Sequence, residues 1–232
     1  DLEGVKTSME KVAKIGYTAV QVSGFGDVSA EDVAKIAADN GLTIASSHMN
    51  WERFMTDLDG IIEEHQIWNC THPAIGGIFR GYEGADGVKR FLDDLAPIAE
   101  KLASVGMDFS YHNHSHEFAK YGGKTWFQMM VDQSTPEQLK LEIDTYWVQH
   151  GGADPVYWIR YCGKRQPLLH LKDMVITPQR EQLGARGGRI DVDRVELLHG
   201  RERLRLVRRH ERSLRHRRLA DAPVDRRNDA RI

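Results

Sequence analysis

The chain alternates between two periodicities. Val5, Met9, Val12, Ala13 and Ile15 recur at helical spacing, and Gly16 ends that run before the β-rich stretch from Tyr17 to Val22. Ser29 stands as an N-cap with Glu31 and Asp32 in the first turn. Val33, Ile36 and Ala37 supply an apolar stripe, and Gly41 closes the helix ahead of a strand from Leu42 to His48. The alternation then repeats as a helix over about 51–66, a short segment over 69–76, a long amphipathic helix over about 85–105 ended by Gly106, and a strand over 108–114. Trp126 to Val131 reads as the next helix and Leu139 to Asp144 as a strand. Asp154-Pro155 opens a further helix, and Gln166 to Lys172 is the sixth strand.

Six strand candidates separated by helices predict a parallel sheet covered by helices. Polar residues favour one closure of that sheet. His48, Thr71-His72, His112-Asn113-His114, Asp144 and His170-Leu171-Lys172 fall at what this pattern makes the C-terminal ends of strands. A barrel gathers all those ends around one mouth, whereas an open sheet spreads them away from its switch point. A (β/α)8 TIM barrel is therefore predicted. No glycine fingerprint for dinucleotides or nucleoside triphosphates occurs, and Gly76-Gly77 and Gly122-Gly123 read as ordinary turns.

Side chains alternate faces along a strand, so His112 and His114 share one side and Asn113 takes the other. The same parity aligns Glu142 with Asp144, and His170 with Lys172. Imidazoles and carboxylates from three strands then converge, a mixed nitrogen and oxygen set that suits one divalent ion such as Mn²⁺, Zn²⁺, Co²⁺ or Mg²⁺. Buried ionisable groups are costly unless paired or metal-bound, which favours a shared site over a set of isolated histidines.

Three segments in this order, Tyr111-His-Asn-His-Ser-His-Glu-Phe118, Leu141-Glu-Ile-Asp-Thr-Tyr-Trp-Val148 with Gly151-Gly-Ala-Asp-Pro155, and Leu168-Leu-His-Leu-Lys-Asp-Met174, give the chain its resemblance to the xylose-isomerase-like TIM barrels of the sugar phosphate isomerase/epimerase kind. The resemblance covers residues 1–182. It implies one divalent metal held at the ends of the barrel's fifth to eighth strands. Carried onto this chain, it makes His112, Asp144 and His170 the metal ligands, with His114 an alternative to His112 and Glu117 near enough to share the role. It makes Glu117, His114 and Lys172 the catalytic candidates and His48, His72, Asn113 and Lys172 the contacts to substrate hydroxyls, with Glu142 one layer deeper. The activity it implies is isomerisation or epimerisation of a sugar, sugar phosphate or keto-sugar by proton transfer through a metal-stabilised enediolate. A keto-inositol-type dehydratase begins with the same proton abstraction and stays open as the alternative. An endonuclease-IV-like repair enzyme shares the barrel but needs a multi-zinc site and a DNA-binding groove.

Composition changes the picture at one end. The 232 residues are 41% hydrophobic and 28% charged, values of a globular domain, with formal charge −2. Residues 201–232 hold twelve Arg, no Lys and five acids, net +7, which leaves −9 on residues 1–200. That negative charge disfavours nucleic acid as a partner. No apolar run reaches the roughly 18 residues of a membrane span, and Asp1-Leu2-Glu3 is unlike a signal peptide, so a cytoplasmic protein is expected, with homo-oligomerisation left open. Cys70 and Cys162 are expected as buried apolar residues. On the same resemblance, the family's first strand and its last, which carries a fourth ligand, are expected to be missing. Residues 1–182 are expected to form the barrel domain and 183–232 a separate Arg-rich segment. A phosphate-binding arm and a solvated helical extension are weighed for that segment. The preferred reading is GC-rich codons translated out of register, on which the chain lacks a ligand and turns over little or not at all.

Overall fold

The computed structural model describes residues 1–78 and 80–172 and the strand Glu196–Leu197, and the readings placed on 183–232 otherwise lie outside the described residues. Helix α1 (Leu2–Ile15) leads into β1 (Ala19–Ser23), α2 (Ala30–Asp39) into β2 (Thr43–Met49), and α3 (Trp51–Thr56) with α4 (Leu58–Ile67) into β3 (Pro73–Ile75). Then α5 (Gly84–Ser104) leads into β4 (Ser110–His112). A small hairpin of β5 (Lys120–Tyr121) and β6 (Lys124–Thr125) precedes α6 (Trp126–Gln133) and β7 (Lys140–Asp144), and α7 (Thr145–His150) with α8 (Pro155–Cys162) leads to β8 (Leu168–Leu171). Strands β1, β2, β3, β4, β7 and β8 pair in that order, all parallel, as a curled half-barrel, and β9 (Glu196–Leu197) adds antiparallel to β8. No helix among the described residues is long and apolar enough to cross a membrane.

The boundaries follow from local chemistry. Asp1, Ser29, Thr125 and Asp154 cap the helices they precede, and Gly16, at φ 108°, ends α1 in a conformation that costs other residues strain. The single helix expected over 51–66 is two. Asp57 ends α3, accepting from Arg53 Nε at 3.0 Å, and caps α4 through Gly60 N at 3.3 Å. Helix α7 is not anticipated by the hydrophobic pattern, because Asp144 both ends β7 and caps the helix that follows at once.

Parity separates fold from chemistry in β3, β4, β7 and β8. The odd-numbered Ile75, Tyr111, Ile143 and Leu169 join Phe91 of α5 and Met130 of α6 in the larger apolar core. The even-numbered positions face the barrel interior. A smaller core of Met9, Val22, Val33, Ala37, Ile44 and Trp68 lies under α1, α2 and α4. In β2 the parity is reset. Val20 pairs with Ile44 but Gln21 with Ser46, leaving Ala45 as an extra residue. This bulge lets Ile44 and Ser47 both face helices, so that Ser46 and His48 turn inward.

Both cysteines are buried, as expected, and burial raises the Cys70 thiol to about 11 and the Cys162 thiol to about 12, so neither is a nucleophile at neutral pH. Behind β2, fully buried His65 meets Ser47 Oγ at 2.7 Å and Ile61 O at 2.7 Å, and burial lowers its pKa. The folded chain therefore resists a proton that the unfolded chain accepts near pH 6.5. The stabilising contribution is complete above that pH and shrinks below it by at most about 1.4 kcal/mol per pH unit. Urea melts of the wild type and His65→Gln should show a stability gap at pH 7.5 that narrows at pH 5.5. A gap that widened on acidification would contradict this account.

Candidate active site at the strand ends

At the mouth of the half-barrel, β2 presents His48, β4 presents His112 and then His114, β7 presents Glu142 and Asp144, and β8 presents His170 followed by Lys172. The imidazoles of His112 and His170 lie 4.7 Å apart between centroids, those of His48 and His112 4.9 Å, and those of His112 and His114 4.9 Å. Asp144 Oδ2 is approached by Lys172 Nζ at 2.5 Å, His112 Nε2 at 3.1 Å and His170 Nδ1 at 3.5 Å. Its Oδ1 accepts from Tyr146 N at 3.0 Å and Trp147 N at 3.2 Å, so the first turn of α7 fixes the carboxylate. Glu142, fully buried, accepts from Gln21 Nε2 at 2.7 Å and meets His48 Nε2 at 2.5 Å and His170 Nε2 at 3.3 Å.

These contacts set the charges. Burial alone pushes both carboxyls up, but His170 and His48 around Glu142, and His112, His170 and Lys172 around Asp144, reverse this and hold both well below the usual carboxylate range. Burial lowers His112 to about 4 and His114 to about 3. His170 is also opposed by burial, yet its contacts with Asp144 and Glu142 raise it to about 9. The site thus combines ionised carboxylates with neutral imidazoles at His112 and His114 and a His170 that favours its charged form.

The remaining predicted residues lie around this cluster in different roles. Asn113, fully buried, faces away from the rings. Its Oδ1 accepts from Asp144 N at 3.0 Å, bracing β7 against β4. Glu117 lies behind His114, accepting from Tyr111 OH and from His114 N, both at 2.9 Å, and burial raises its pKa. His72 departs from the expected position. It precedes β3 rather than ending it, and pairs with Asp108 at 2.9 Å ahead of β4, because the strand is the apolar run Pro73-Ala-Ile75. That places His72 at the N-terminal end of the sheet, away from the mouth.

Gly76 and Gly77 are more than a turn. A Cβ on Gly77, at φ 98°, would meet His114 Nδ1 at 3.0 Å, and one on Gly76 would come within 3.6 Å of His48 Nδ1, so the loop after β3 packs directly on the histidines. The pattern reading also misses Gln21 and Trp147. Gln21 reaches across the interior from β1 to touch Glu142 and His170. Trp147, half-buried, stands 4.9 Å from the His114 ring at the rim. The signal for Gln21 is a lone amide in an apolar strand.

Among the described residues, two groups of side chains have ligand atoms within 4.8 Å of one another, His112 with Asp144 and His170, and His48 with Glu142 and His170. The first fits a divalent ion. It offers two imidazoles and a carboxylate, and it contains buried nitrogens, His112 Nδ1 and His170 Nδ1, that make no hydrogen bond.

The model of the xylose isomerase-like TIM barrel family matches residues 9–212. Comparison with curated proteins finds no match. Among solved structures, a sugar phosphate isomerase/epimerase from Parabacteroides distasonis is 24% identical, with 78% of this chain and 74% of that one covered and a TM-score of 0.64. D-psicose 3-epimerase from Clostridium cellulolyticum H10 is 17% identical over 71% of this chain and 66% of its own, TM-score 0.54. A probable 3-DHS dehydratase from Bacillus anthracis is 14% identical over 72% and 68%, TM-score 0.54. At these identities the likeness is one of fold. The family match spans most of the sequence, and the chain belongs to the xylose isomerase-like TIM barrel family.

Proposed function

We propose that the protein is a metal-dependent isomerase or epimerase of a sugar, sugar phosphate or keto-sugar. The observation that carries this reading is the buried convergence of His112, Asp144 and His170 with Lys172 at the strand ends. The names of the similar sugar phosphate isomerase/epimerase and D-psicose 3-epimerase structures agree with it. His112, Asp144 and His170 would hold the ion, which supplies Lewis acidity toward adjacent substrate oxygens and so acidifies the hydrogen on the carbon beside them.

The chain's own groups do the rest. Lys172, partly exposed beside Asp144, donates to a substrate oxygen and stabilises negative charge developing there. His114, partly buried and held neutral by that desolvation, sits at the rim where it can take or return a proton on carbon. Glu117 holds the His114 backbone in place through its hydrogen bond, and His48 faces the substrate hydroxyls. Trp147 offers an aromatic wall against the apolar face of a sugar ring.

Incubation in D2O with each of Mn²⁺, Zn²⁺, Co²⁺ and Mg²⁺ and a panel of ketoses, aldoses and their phosphates, followed by NMR, tests the reading. Solvent exchange registers proton transfer even where net turnover is slow. Deuterium should enter the carbon beside the carbonyl of at least one sugar, only with metal present, and without loss of water. Loss of water would identify the dehydratase alternative, and no exchange from any sugar would overturn the reading.

A further inference from the structure

The two candidate ligand groups share His170, and a ring nitrogen can give a lone pair to an ion only if it carries no proton. The contacts at and around Gln21 fix where that proton is. The Gln21 amide nitrogen donates to Glu142 Oε1 at 2.7 Å, and Glu142 Oε2 in turn meets His48 Nε2 at 2.5 Å. Ser46 Oγ, which donates to His72 O at 2.8 Å, accepts from the same nitrogen at 3.3 Å. The Gln21 oxygen is left facing His170 Nε2 at 2.7 Å, and Glu142 Oε1 lies 3.3 Å from that same nitrogen. Two acceptors flank Nε2, so Nε2 carries hydrogen. A reversed amide would set two oxygens against each other at 2.7 Å.

From this geometry we infer that Gln21 is a positioning residue that keeps hydrogen on His170 Nε2 and so leaves Nδ1, facing Asp144, as the nitrogen that gives up its proton to receive a metal ion. The inference rests on the metal-dependent reading above and deepens it. It makes His112, Asp144 and His170 the ion site. It excludes the group of His48, Glu142 and His170, because the His170 nitrogen that faces Glu142 is Nε2, already a donor. His170 Nδ1 is buried, makes no hydrogen bond, and has Asp144 Oδ2 at 3.5 Å. Two such acceptors side by side need a proton or a cation between them. Gln21 does this from β1, a strand that does not pair with β8, so the curl of the sheet brings the two together. An outer partner of this kind orients a ligating imidazole and sets its tautomer.

Long-range 1H–15N correlation spectra of 15N-histidine-labelled full-length protein, with and without Zn²⁺, test this directly. Wild-type His170 should be protonated at Nε2 in both samples, and Zn²⁺ should perturb Nδ1. Gln21→Leu should bind Zn²⁺ about 10- to 100-fold more weakly in a chelator competition, with Nε2 protonation of His170 no longer fixed. Ser110→Ala, at a buried position of β4 whose hydroxyl makes no hydrogen bond, should leave Zn²⁺ affinity unchanged, which separates positioning from general loosening of the interior. Zn²⁺ on Nε2, or a Gln21→Leu protein with wild-type affinity, would overturn the inference. If Gln21→Leu does not fold, the wild-type spectrum with Zn²⁺ still reports which His170 nitrogen keeps its hydrogen. If the wild type binds no metal, the proposed function fails on that point, while an Nε2 without hydrogen in the metal-free spectrum would still overturn the assignment.

Discussion

Asp144→Asn is expected to weaken divalent-ion binding by more than about 100-fold, since even an outer partner of a ligand is worth 10- to 100-fold. The substitution is chosen because it spares the fold. Asp144 Oδ1 caps α7 through Tyr146 N and Trp147 N, and an amide oxygen accepts those bonds equally well. What is lost is the charge at Oδ2, where His112, His170 and Lys172 converge. Asp144→Ala would confuse the issue by also removing the cap and leaving buried partners unpaired, at about 3–5 kcal/mol. Isothermal titration with Zn²⁺ alongside circular dichroism separates the two effects. An Asp144→Asn protein with native helicity and affinity within threefold of wild type would remove Asp144 from the site.

Lys172→Met should act in the opposite sense on the ion. The ammonium sits 2.5 Å from the carboxylate oxygen that a divalent ion would share, so it competes with the ion for that charge. Its removal should leave ion affinity unchanged or tighter, while metal-dependent deuterium exchange into substrate falls by about 10²- to 10³-fold, the scale of losing one donor to a developing oxyanion. The pair of outcomes is diagnostic. If Lys172 only stabilised the fold, exchange and affinity would fall together with thermal stability. If it played no part in proton transfer, exchange would survive the substitution. The measurement is exchange rate by NMR at saturating metal and substrate, alongside the titration above.

The sequence makes the fold legible wherever the cause is local. Gly16, Ser29, Gly106 and Asp154 punctuate helices by their own conformational or capping preferences, and the β-rich runs between them become the strands. The site is legible for a related reason. Even-numbered His112, Asp144, His170 and Lys172 share one face of their strands through simple alternation, so their convergence needs only a barrel. What stays hidden depends on distant partners. The bulge at Ala45 is required only because Ile44 and Ser47 must both face helices, so alternation alone does not reveal the inward turn of His48. His72 looks like a strand end until the strand is seen to begin at Pro73. Asn113 and Glu117, candidates for substrate and proton, spend their hydrogen bonds on Asp144 N and His114 N. Gln21 joins the site only after the sheet has curled far enough for β1 to face β8, a consequence of tertiary structure that no window of residues carries.

Crystals soaked in Zn²⁺ and measured for anomalous scattering test the central claim most directly. The account predicts one peak among His112, Asp144 and His170, about 2.0–2.2 Å from a nitrogen of each imidazole and an oxygen of the carboxylate, with Nδ1 as the coordinating atom of His170. A peak between His48 and Glu142, or none at these side chains in a fully soaked crystal, would contradict it.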